Sequence, residues 1–105
     1  MMEPIPIWIY IKVEVTTDGG LVGHYWLTRQ FEFPTLPPIG LELDYRVRIR
    51  ETVIIDRLML EPGSGQYQGY QKSWFSIGVG DLALWEHAGW TKMDMSEEDK
   101  TDQSR

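Results

Sequence analysis

The chain has no cysteine. That removes disulfides, thiolate metal sites and thiol nucleophiles together, and it makes a reducing cytoplasm the simplest address. Long apolar runs are missing too. The longest covers residues 5–11, is broken by Pro6 and is followed at once by Lys12 and Glu14. It is too short to cross a bilayer and lacks the basic lead-in of a signal peptide. Positive charge is scarce: 10 Lys and Arg stand against 16 Asp and Glu, for a net charge of -6. A general nucleic-acid binder needs clustered cations that outweigh local acids, so this balance argues against that class. With 2 histidines and no ordered His/Asp/Glu spacing, neither a metal nor a cofactor is expected.

What remains is a chain of 105 residues, 42% hydrophobic and 25% charged, which suits one small globular domain. Five tryptophans are the one unusual count. Residues 93–105 change character, with five acids, two bases and no aliphatic or aromatic side chain. The expectation is a single domain over 1–92 and an acidic, disordered tail over 93–105.

The opening carries the clearest pattern. Ile5, Ile7, Ile9, Ile11, Val13 and Val15 take every odd position, which reads as a strand with one aliphatic face. A turn through Asp18, Gly19 and Gly20 leads into a second strand over 21–33. A three-residue loop there keeps both odd-numbered sets on one face. It places Val13 against Tyr25, Ile11 against Leu27 and Ile7 against Phe31. On the reverse face Lys12 meets Trp26, Glu14 meets His24 and Tyr10 meets Thr28. Arg29 is the misfit, opposite Ile9 on the aliphatic side; it requires either a bulge or the open end of the core.

Three prolines within 34–40 predict an extended crossover. A third strand alternates over 41–49. A fourth, over 52–61, is apolar on both faces and reads as a central strand covered twice. Residues 62–69 form a loop and 70–79 a fifth strand. One short helix is expected over 81–89, with Asp81 as N-cap, Gly89 in the left-handed position and Trp90 just beyond. The fold is therefore mainly β: about five strands in a twisted antiparallel sheet closing toward a small barrel, with one short C-terminal helix. An open sheet with the helix on one face is the second arrangement.

Candidate binding residues fall into three groups. Trp8, Tyr10, His24 and Trp26 share the face opposite the aliphatic one, and Tyr70 and Trp74 extend it; such surfaces bind sugars, bases, peptides or partner proteins. The helix must also bury Leu82, Leu84 and Trp85, and the aromatic face is the natural place, so part of it is covered and part open. Arg46, Arg48 and Arg50 project in a row at about 6.6 Å intervals and can hold an acidic partner, or pair with acids such as Asp56 and Glu61. Tyr67, with Tyr70, marks the 62–69 loop, whose glycine spacing lacks the helix that a phosphate-binding loop requires. His24 facing Glu14 resembles an oriented base, yet no nucleophile or oxyanion donor accompanies it.

The reading is a non-enzymatic domain whose partner is another protein. Size and composition suit a stoichiometric inhibitor, immunity or adaptor protein of bacterial or phage type. The alternatives are a small-ligand or enzymatic barrel with the Trp/Tyr face as its pocket, and a structural subunit of a homo-oligomer.

Overall fold

A computed structural model describes residues 3–45 and 51–95. The chain opens with two long strands, β1 (Ile5–Thr17) and β2 (Gly20–Phe33). They pair antiparallel with Val13 against Tyr25, Ile11 against Leu27 and Ile7 against Phe31, as the alternation predicts. The turn differs in detail. Thr17 pairs with Gly20 across a two-residue connection, and a register shift between Val15 and Thr16 restores the odd-with-odd match. Gly20 adopts a φ of 117°, open to glycine and strained for other residues.

The chain continues through β3 (Glu42–Tyr45) and β4 (Glu51–Ile54), which form a separate antiparallel ribbon. Then come β5 (Arg57–Glu61), β6 (Gln66–Gly78), α1 (Val79–His87) and β7 (Thr91–Asp94). The main sheet runs β5-β6-β1-β2-β7. Its β1–β6 pair is parallel and the others antiparallel, so the sheet is mixed, not purely antiparallel.

The sheet does not close into a barrel; β5 and β7 are its two ends. These strands are only five and four residues long, and the aliphatic face is roofed by other elements instead of by the sheet itself. Ile7, Ile9, Ile11, Val13 and Val15 are buried together with Leu27 and Ile77. The roof consists of Val53 and Ile55 at the ribbon and Leu82 and Trp85 from α1. Each fully buried aliphatic side chain is worth roughly 1.5–3 kcal/mol. The second arrangement anticipated above, an open sheet with the helix on one face, is the one observed.

Residues 52–61 are not one central strand. The chain leaves the ribbon at Ile55 and Asp56, where the Asp56 N–H donates to the Tyr70 carbonyl at 2.9 Å. It then enters the main sheet as the outer strand β5. The fifth predicted strand begins earlier than expected, at Gln66, leaving a tight turn with Gly65 at a φ of 71°. The helix likewise starts before Asp81. Gly78 is the N-cap, with no side-chain cap, and Asp81 lies in the first turn, where its charge favours the helix dipole. At the other end Gly89 has a φ of 103°. The Trp90 N–H reaches back to the Trp85 carbonyl at 3.1 Å, and the two indoles meet edge-on at 5.3 Å. Strand β7 takes in Met93 and Asp94, the first residues of the segment read as a tail.

Arg29 sits opposite Ile9, as the alternation requires. Its Nη1 donates to the Ala88 carbonyl at 2.6 Å, and its guanidinium lies 4.8 Å from the Phe31 ring centroid. The misfit is thus a cation at the helix C-terminus, where carbonyl oxygens lack partners. Replacing Arg29→Met should lower stability by roughly 1–2 kcal/mol in urea unfolding; an unchanged midpoint would show that the contact contributes nothing.

The parallel pair is close-packed at Gly69. A Cβ there would lie 2.9 Å from Ile9 Cδ1 and 3.4 Å from Ile55 Cγ2. Gly69→Ala should therefore cost about 1–2 kcal/mol through overpacking, read as a lower thermal midpoint with the β-sheet signal retained.

Candidate functional site

Period-two alternation places the even-numbered side chains of β1 on the face away from the roof. Trp8, Tyr10, Trp26, Tyr70 and Trp74 all belong to it and are half-buried. The helix packs on the aliphatic side, so it does not cover the aromatic face as the sequence reading allowed. There Leu82 and Trp85 complete a core that the isoleucines already define.

The rings organise one another. Tyr10 stacks on Tyr70 with centroids 5.0 Å apart and planes 16° apart. Trp26 meets Tyr10 edge-on at 6.1 Å and Tyr70 at 6.0 Å. The Lys12 ammonium stands 5.8 Å from the Trp26 ring and 5.6 Å from the Trp74 ring. Such cation–π contacts are worth about 0.5–2 kcal/mol each and hold the charge at a fixed place.

A register irregularity shapes this surface. Between Tyr10 and Lys12 the β6 partners jump from Tyr70 to Trp74, so β6 carries a bulge there. Two side chains hold the bulge. Gln71 is buried and accepts the Ile54 N–H on Oε1 at 2.8 Å, while its Nε2 donates to the Ser73 carbonyl at 3.3 Å. Asp56 Oδ2 accepts the Lys72 N–H at 2.7 Å. Around the bulge lies an open concavity of about 700 Å³, lined by Tyr10, Lys12, Trp26, Asp56, Arg57, Met59, Tyr70, Gln71 and Lys72. Three cations thus face it with one carboxylate, and that carboxylate is engaged by the backbone. Among the described residues no acid forms an ion pair with Lys12, Arg57 or Lys72.

The other sequence candidates are distributed as follows. Trp8 is on the aromatic face, opposite Gln30 and Gln68, outside the concavity. Trp74 meets His24 edge-on at 5.2 Å. Tyr67 is not at a loop tip; it lies within β6, opposite Ile7, and packs against the core. Arg46, Arg48 and Arg50 lie outside the described residues. Of the acids named as their possible partners, Asp56 accepts the Lys72 N–H and Glu61 accepts the Gly63 and Ser64 N–H groups. His24 faces Glu14 in register, and among the described residues its Nε2 is buried with no hydrogen-bond partner. No group of three or more His, Asp or Glu among the described residues is placed to hold a metal. Arg57, Met59 and Lys72 were missed, and Lys12 was noted only as a neighbour of Trp26. Lys12 was within reach of the same alternation that gives the aromatic face. Arg57 and Met59 join the site only through the β5–β6 register, which pairs Arg57 with Tyr70.

Comparison with known protein families, with curated proteins and with solved structures finds no match to this chain.

The turn between β5 and β6 holds a hydrogen-bonded carboxylate. Glu61 accepts the Ser64 hydroxyl at 2.5 Å, the Ser64 N–H at 2.6 Å and the Gly63 N–H at 3.1 Å. These donors, the Ser64 side chain first, hold its pKa below the ordinary glutamate range. A depressed folded-state pKa means the contribution is present above the unfolded value and lost as pH falls through the folded one. The Gly63 and Ser64 amide resonances should therefore titrate with a midpoint below that of a free glutamate; a midpoint at the ordinary value would dismiss the bonded turn.

Proposed function

We propose that this protein is a non-enzymatic binding domain, that its working surface is the uncovered Trp/Tyr face, and that its partner is another protein. The observation that carries the reading is the one-sided roof: helix and ribbon both lie on the aliphatic side, leaving Tyr10, Trp26 and Tyr70 around an open concavity. Aromatic and arginine side chains in a partly desolvated setting are the types that dominate interface energetics. Because the rings already brace one another, little side-chain freedom is lost on association. The inhibitor, immunity or adaptor role remains the version that size and composition favour.

A second reading is supported by the concavity itself, whose volume falls within the range of small-ligand pockets. Comparative capture separates the two. The wild-type chain, a Trp26→Ala/Tyr70→Ala variant and a Glu86→Ala control on the helix surface are used as baits in one host extract. A protein retained by the wild type and the control but lost by the face variant, by about tenfold or more, supports the reading. Equal retention by all three baits removes the aromatic face from the interface. A tryptophan emission shift with free sugars or nucleotides, abolished in Trp26→Ala, would favour the pocket.

A further inference from the structure

We infer that the concavity recognises an acidic, extended segment of the partner protein, with carboxylates at alternate positions. The inference rests on the binding reading above and adds the chemistry of what is bound. Its basis is a local reversal of charge. The chain carries a net -6, yet the concavity is lined by Lys12, Arg57 and Lys72 against Asp56 alone. Asp56 is turned to the Lys72 backbone, and among the described residues none of the three cations has an ion-pair partner. Three cations gathered with one acid, on a molecule rich in acids, mark a surface complementary to negative charge.

Spacing then selects the occupant. Lys12, Arg57 and Lys72 come from β1, β5 and β6, and β5 and β1 are separated by β6. Neighbouring strands lie about 4.8 Å apart, so Arg57 and Lys12 are rooted roughly 10 Å from each other across the sheet. The Lys12 ammonium is held over Trp26 and Trp74, so the cations offer separate points of positive charge. An extended peptide presents side chains on one face about 7 Å apart, which lets successive acids address separate cations. Tyr10, Tyr70, Trp26 and Met59 line the same concavity, suited to apolar side chains or backbone carried alongside. A nucleic-acid strand would also bring regular negative charge and flat bases, but its affinity depends on many phosphate contacts, and three cations supply few.

The test is fluorescence titration of the full chain with three probes: a Glu/Asp-rich dodecapeptide carrying two leucines, its Gln/Asn counterpart, and an oligothymidylate of similar length. The acidic peptide should bind, and raised salt should weaken it. The neutral counterpart should bind about tenfold more weakly, and Arg57→Gln/Lys72→Gln, both changes at exposed positions, should reduce acidic-peptide affinity about tenfold. Circular dichroism confirms that the variant keeps its fold. Equal binding of the acidic and neutral peptides, or no binding of either, overturns the inference and leaves the surface reading to the capture comparison. Tighter binding of the oligothymidylate overturns both.

Discussion

The structure depends on five side chains pointing one way. Ile7, Ile9, Ile11, Val13 and Val15 share one face of β1 and are buried completely or almost so. A one-residue slip of this strand would turn all five into water, a loss that the opposite face could not recover. The strand therefore becomes central, with β6 on one side and β2 on the other. Any element that can cover apolar surface must go to the aliphatic side, and the ribbon and α1 both do so. The open aromatic face is a consequence of that choice rather than a separate feature. Once helix and ribbon are committed to the isoleucines, nothing among the described residues is left to roof the tryptophans.

How far this could be read from the sequence follows from which interactions are local. The β1–β2 register was legible because both strands alternate and a glycine turn joins them, so Ile11 could face only Leu27 or a residue of equal parity. The helix end was legible for a similar reason, since Gly89 and Trp90 give a local stop signal. The parallel pairing of β1 with β6 was not legible. Alternation in β6 fixes which side chains share a face, but not which strand lies alongside. Strand β7 gave no signal because Thr91, Lys92, Met93 and Asp94 are all exposed, leaving no periodic burial to read. The break at Asp56 was hidden for a different reason. Its turn is held by bonds to Tyr70 and Lys72, far enough along the chain that residues 52–61 look like one apolar strand.

The candidate site divides along the same line. Its aromatic half follows from period two in β1 and β2 alone. Its basic half needs tertiary pairing. Arg57 reaches Tyr70 through the β5–β6 register, and Lys72 reaches the concavity because β6 bulges there. Arg29 shows both sides of this in one residue. Its place opposite Ile9 could be read, but its partner, the Ala88 carbonyl, could not be named before the helix was placed.

The bulge ties fold to site. A regular β6 would continue to place one residue opposite each residue of β1, and the face would be a plain pleated surface. The extra residues between Tyr70 and Trp74 instead send Gln71 inward to the Ile54 N–H and leave Lys72 exposed. The buried amide is satisfied on both its oxygen and its nitrogen, so it does not carry the cost of an unpaired polar group. Asp56 accepts the Lys72 N–H in the same arrangement. That bond leaves the carboxylate's charge in place, and the concavity is positive because Lys12, Arg57 and Lys72 outnumber the one acid. The sheet irregularity therefore contributes one of the three cations, Lys72, to the surface beside it.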